Sequence, residues 1–202
     1  MLSNGDLPYV SENAYLQALK FEPDIVVIKL GTNDSKPKNR IYLDEFIEDA
    51  TAMADAFAAL SSDPRILLCL PATVYNVKDG ISDSVITARI IPAIREVGSR
   101  KGFEVIDVHS ATAGMPGNFP DKIQPKAAGS RAIAKTVYNG ITGEDIDFTA
   151  QAFPGVKSRG NGYDKYDFTY NGRSAVAVVP HDPLPGNPWI WRPAFFGEFP
   201  SV

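Results

Sequence analysis

A chain of 202 residues, 44% hydrophobic and 22% charged, has the length for one large domain or for one domain and part of another. A net charge of −4, with no Lys/Arg run longer than two, excludes a binder that relies on nucleic-acid phosphates. No apolar stretch reaches the roughly 20 residues of a membrane-spanning helix, and the single Cys69 excludes an internal disulfide.

Residues 1–9, MLSNGDLPY, are polar and turn-rich and read as a loop. Helical spacing follows at 12–21, with Ala14, Leu16, Ala18 and Leu19 apolar and Ser11 placed as an N-cap. In PDIVVIKLGTNDSKP, residues 23–37, the run Ile25, Val26, Val27, Ile28 and Leu30 predicts a buried parallel strand near 24–30, covered on both faces. Its chemistry changes abruptly at Gly31-Thr32-Asn33-Asp34. In open α/β sheets, ligands gather beyond the carboxyl ends of strands. Gly31 permits a sharp turn, Asn33 can aim a carboxamide into a cleft, and Asp34 can accept the hydrogen bonds that hold the loop.

A second helix is expected at 44–60, with Phe46, Ile47, Met53, Phe57 and Leu60 on one face. RILLCL, residues 65–70, predicts another buried strand, in which Cys69 serves as a small hydrophobe. The periodicity of Val85, Ile86, Ile90, Ile94 and Val97 predicts a helix over 83–101, kinked or irregular at Pro92. FEVIDV, 103–108, is the third strand, and 126–138 is the last helix. Strands alternating with helices imply βαβ units around a parallel sheet.

After Gly143 the helical pattern stops. Asn171-Gly172, between the alternating runs of residues 167–179, signals a hairpin. Residues 183–188 are a proline-rich turn, and WIWRPAFF, 189–196, reads as a further strand. GNG at 160–162 follows no predicted strand and opens no helix, so it is not a phosphate loop. Trp189, Trp191, Phe195, Phe196, Tyr163 and Tyr166 could stack on sugars, but core and edge of a β segment is the simpler reading.

GTND after an apolar strand resembles the GxND block of the SGNH (GDSL-like) hydrolases. PDKIQPKAAGSRAIA, residues 120–134, resembles that family's last block, DxxHP followed by a helix start. Order and spacing agree, and the resemblance covers residues 1–142. It implies a three-layer, flavodoxin-like α/β domain and serine-dependent hydrolysis of an ester, of which acetyl groups on a sugar are one class. It implies no cofactor and no metal, and no His, Cys or acidic cluster in the sequence has zinc-site spacing.

By that resemblance Asn33 is an oxyanion donor, supported by Gly31 and Asp34, and Asp121 is the carboxylate that orients the base. The base position itself holds Gln124, where the family has His. An amide takes up no proton near neutral pH, so Gln124 cannot act as a general base. The family's opening GDS block has no counterpart, because Gly5-Asp6 is followed by Leu7 and preceded by no strand. His109, just after FEVIDV, lies on the ligand side of the sheet, and a structural hydrogen bond is its simplest role. His181, in VVPHDP, reads as a turn residue.

The expectation is an SGNH-like domain over 1–143 that begins after the family's second block. It is followed over 144–202 by the β-rich opening of an α/β-hydrolase-like domain, although no GxSxG elbow occurs. Expected partners are a small ester or acylated sugar, with no nucleic acid and no membrane, and self-association through an exposed sheet edge. No compartment is legible, though secretion or a periplasmic location fits the resemblance. Two rivals stand beside this reading. One is a non-catalytic binding or scaffold module derived from the esterase fold. The other is a flavodoxin-like nucleotide binder, disfavoured by the lack of a Gly-rich strand-to-helix turn.

Overall fold

The computed structural model describes residues 1–76, 79–145, 155–160 and 163–180. The chain divides into two compact units, Met1–Ile146 and Asp147–Val202.

In the first unit, β1 (Ile25–Ile28), β2 (Arg65–Cys69) and β3 (Glu104–Ile106) form one parallel sheet in that order. The registers pair Val27 with Leu67 and Leu68 with Val105. Helices α1 (Asn13–Lys20) and α2 (Phe46–Ala58) flank β1 in the chain. Between β2 and β3 run α3 (Asp83–Val85), a π-turn (Ile86–Ile90) and α4 (Ile91–Lys101). The chain then adds α5 (Val108–Thr112) and α6 (Ala127–Thr142).

The core is two clusters on opposite sheet faces, which gives three layers. On one face Val26, Ile28, Ile66 and Leu68 meet Phe46, Met53 and Phe57 of α2 and Ile86, Ile90, Ile94 and Val97. On the other, Leu67, Cys69 and Ile106 meet Val108 and Phe119, with Ile133, Val137 and Ile141 of α6 packed against them. Burial pushes the Cys69 thiol up to about 11, as suits a buried hydrophobe. At the amino end of the sheet, Arg65 forks onto Glu104 at 2.7 and 2.8 Å. It also donates to the Gly140 and Ile141 carbonyls near the end of α6, at 3.1 and 2.5 Å. Those carbonyls sit at the negative end of the helix, where a guanidinium is favourable.

Several expectations are corrected here. β1 is not covered on both faces. Val26 and Ile28 are buried, but Ile25 is 43% and Val27 37% exposed, because no helix of the second cluster reaches over β1. An all-apolar IVVI pattern cannot say which face finds a cover. Ser11 is not the N-cap of α1. That position falls to Glu12, with no side-chain cap bond, and Ser11 closes a short 3-10 turn (Tyr9–Ser11). β3 stops at Ile106 because the Asp107 carboxylate accepts the Ser110 N–H at 2.9 Å and starts α5. The irregularity at Pro92 is the π-turn before it: the proline ring crowds the carbonyl four residues back, and a wider turn relieves the clash.

In the second unit β4 (Val156–Gly160), β5 (Tyr163–Tyr170) and β6 (Arg173–Pro180) form an antiparallel sheet in sequence order. β5 and β6 join at Asn171 and Gly172, whose φ angles of 48° and 74° are those of a type I′ hairpin turn. Gly160, the first residue of GNG, closes β4, and the chain resumes in the antiparallel β5 and not in a helix; Asn161 and Gly162 lie outside the described residues. The Lys157 ammonium lies 5.6 Å from the ring centre of the buried Tyr166 and 2.7 Å from Asp164. His181 and residues 183–196, with Trp189, Trp191, Phe195 and Phe196, lie outside the described residues. Among the described residues no helix is long and apolar enough to cross a membrane, and none of their His, Cys, Asp and Glu side chains cluster to hold a metal.

Candidate active site

A parallel sheet sends all its strands out at one end, and the candidate residues collect there. The first group follows β1. Gly31 adopts φ 120°, closed to ordinary L residues, and a Cβ there would stand 2.9 Å from Ile90 Cγ2 and 3.1 Å from Pro71 Cγ. Glycine thus lets the loop lie directly against the segment that follows β2. Residues Thr32–Ser35 then form a single 3-10 turn.

Asn33 rides on that turn with its side chain exposed. Asp34 points the opposite way and is 4% exposed. Its carboxylate accepts the Leu2 N–H at 2.8 Å and lies 3.2 Å from the Met1 amino nitrogen. Ser35 donates to the Thr32 carbonyl at 2.8 Å and accepts the Ser82 N–H at 3.2 Å. The loop is therefore tied both to the amino-terminal segment and to the start of α3.

Asn39 was not singled out by the sequence, yet it is 3% exposed and holds two segments together. Its side-chain amide donates to Asp6 at 2.6 Å and to the Asn33 carbonyl at 3.0 Å, while its oxygen accepts the Asp6 N–H at 2.9 Å. Lys38 sits 2.7 Å from Asp6. These two neighbours, Lys38 first, hold the Asp6 carboxyl down to about 2. Nothing in PKNR separates a buried asparagine from a solvated one, so no sequence signal could have found Asn39. A cavity of about 260 Å³ opens against this group, with Gly5, Asp6, Lys29, Gly31 and Asn33 among its lining residues.

The second group follows α5. Asp121 Oδ1 accepts the Ile123 N–H at 2.9 Å and the Gln124 N–H at 2.6 Å, which closes a tight turn around Lys122, whose φ is 71°. Gln124 is exposed. The Lys122 carbonyl accepts the Tyr75 N–H at 2.9 Å, and Tyr75 belongs to the segment leaving β2. The Asp121–Gln124 turn is thus at the same end of the sheet as Asn33. It does not line the cavity, however, so the two groups share an end but not a pocket.

His109 is the third element. It opens α5, and its Nε2 lies 3.2 Å from Asp83 Oδ1, which also accepts the Val74 N–H at 2.8 Å. Its carbonyl accepts the Thr73 hydroxyl at 2.8 Å, and its side chain is only 17% exposed. The ring therefore ties α5 to the start of α3, and Asp83 in turn ties α3 to the segment after β2. Asp83 went unnoticed in the sequence; its place at a helix start, nine residues after Val74, is the one local signal it offers.

Comparison with known proteins decides the family. Residues 4–132 match the model of the GDSL-like lipase/acylhydrolase family. The chain belongs to that family. It is also 38% identical over 155 residues to an acetylxylan esterase of Xylanibacter ruminicola, an alignment that covers 68% of this chain. The aligned region is 32% of that relative, so the chain spans about a third of its length. Among solved structures, an acetylxylan esterase from Geobacillus stearothermophilus superposes with a TM-score of 0.53 at 18% identity, over 64% of this chain and 65% of that one. A lipase/acylhydrolase from Enterococcus faecalis gives 0.53 at 22% identity, over 64% and 67%. These likenesses establish the SGNH-hydrolase fold of the first unit.

Proposed function

We propose that this chain carries the substrate-facing, oxyanion-side half of an ester-hydrolase site for acetylated sugars and does not turn esters over by itself. The observation that carries this reading is the opposed orientation of Asn33 and Asp34. One carboxamide is held out beside a cavity while its neighbour is buried to brace it. Donors fixed in advance where charge develops are the largest single contribution to acyl-transfer catalysis, because they need not reorganise during the reaction.

Serine-type hydrolysis also requires a nucleophile whose proton passes to a base. Gln124 occupies the base position of the family pattern and offers only an amide. Asp121, whose part in the pattern is to orient a base, has its Oδ1 engaged by two backbone N–H groups of its own turn. Losing the base of a triad lowers the rate by about 10⁴- to 10⁶-fold. That loss also supports a second reading, a non-catalytic binding module in which the loop still recognises acylated sugar. The antiparallel sheet of the second unit supports reading residues 144–202 as the opening of an α/β-hydrolase-like domain.

The test is a titration of the chain with acetylated xylo-oligosaccharide, followed by amide chemical shifts. Perturbations confined to the Gly31–Ser35 loop and the residues lining its cavity, lost in Asn33→Ala, are the expected result. Equal perturbation by the Asn33→Ala chain removes Asn33 from the site.

A further inference from the structure

The Gly31–Ser35 loop is held at both ends by one stretch of chain, Ser82–Ile90. At its far end the Ser35 Oγ accepts the Ser82 N–H at 3.2 Å. At its near end Gly31 rests on Ile90: a Cβ added to Gly31 would stand 2.9 Å from Ile90 Cγ2. Ile86 and Ile90 are fully buried, and the π-turn they bound touches the 3-10 turn of Thr32–Ser35 directly. Asn33, midway between the two holds, keeps its side chain exposed.

The two holds are eight residues apart in the chain. In a continuous α-helix, at about 100° per residue, positions eight apart point about 80° away from each other. A π-turn takes up one extra residue, which cuts that angle to about 20° and brings both holds to one side. Pro92 keeps the extra residue in place. It has no N–H to give the Ala88 carbonyl, and its ring bars the tighter turn. Such turns are rare in helices and recur at functional sites.

We propose that the π-turn is the seat of the Gly31–Ser35 loop, with Ile90 and Pro92 as positioning residues for Asn33. This rests on the reading of Asn33 as the oxyanion-side donor. Neither Ile90 nor Pro92 lines the cavity, and each acts through Gly31. Ile90 contributes its β-methyl, the branch that meets Gly31, and Pro92 contributes the width of the turn. A donor that must not reorganise during a reaction gains from a backbone fixed on both sides of it.

Three variants of the full chain separate positioning from packing. Ile90→Leu keeps the carbon count but moves the branch off Cβ, so the contact with Gly31 goes while burial stays. Ile90→Val, the conservative control, keeps the β-methyl and deletes only the terminal Cδ1, which leaves a void. Pro92→Ala supplies the missing N–H and lets the turn tighten. Hydrogen exchange compares the Asp34 and Lys36 amides, bonded to the Gly31 and Asn33 carbonyls, with the Leu70 amide, bonded to Ile106 in the sheet. In Ile90→Leu and Pro92→Ala the two loop amides are expected to exchange about tenfold faster while Leu70 holds its rate, the mark of a local opening. In Ile90→Val the order is reversed: Leu70 speeds up as the core weakens, and the loop amides keep their wild-type rates. Loop amides unaltered in Ile90→Leu or in Pro92→Ala, or faster only in step with Leu70, overturn the proposal. So does an Ile90→Val chain whose loop loosens as much as that of Ile90→Leu. Exchange is read without ligand, so the seat fails on these rates alone, whereas the reading of Asn33 fails on a wild type that binds no acetylated xylo-oligosaccharide.

Discussion

The loop after β1 and the turn at Asp121 stand at the same end of one sheet, and they are held by different means. Gly31–Ser35 is braced from outside itself: Asp34 by Leu2, Ser35 by Ser82, the Asn33 carbonyl by Asn39, and Gly31 by close contact with Ile90 and Pro71. In the Asp121–Gln124 turn, Asp121 Oδ1 takes up the turn's own N–H groups, and the Tyr75 N–H donates to the Lys122 carbonyl. On the proposed reading, the first loop is the one that must hold a donor still, and its buried polar contacts suit that task.

Substitutions sharpen that contrast, and their expected costs fall in order. Gly31→Ala forces φ 120° on an L residue and drives a methyl against Ile90 and Pro71. Strain and overpacking together are expected to cost about 4 kcal/mol in urea unfolding. Asp34→Ala leaves a buried N–H without its acceptor, at about 3 kcal/mol in the same assay. Asp121→Ala loses a turn acceptor, at about 1 kcal/mol, the size of a helix-cap loss. Gln124→Ala, at an exposed side chain, is expected to stay within about 0.5 kcal/mol. Equal costs at Asp34 and Asp121 would erase the distinction between the two regions.

Much of the fold was legible in the residues. The apolar faces of α2 and α4 follow a 3.6 period, so Phe46, Met53, Phe57, Ile94 and Val97 fall where their spacing puts them. Asn171-Gly172 marks its turn because both positions need positive φ. Three things were hidden. An all-apolar strand such as IVVI does not say that one of its faces stays open. β4, VKSRG, has too much charge and too little alternation to read as a strand. Within the site, Gly31, Asn33 and Asp34 stood out because polar residues interrupt an apolar run. Asn39 reaches Asp6 and Asp83 reaches Val74, partners that periodicity and local turn chemistry do not connect.

The central proposal is that the Gly31–Ser35 loop keeps an oxyanion-side donor while Gln124, at the family's base position, accepts no proton. Hydrolysis of p-nitrophenyl acetate by the purified chain, with and without an organophosphonate, tests it most directly. The expected rate is no faster than that of a control protein without a reactive serine, and unaltered by the phosphonate. Turnover above the control that the phosphonate abolishes would contradict the account.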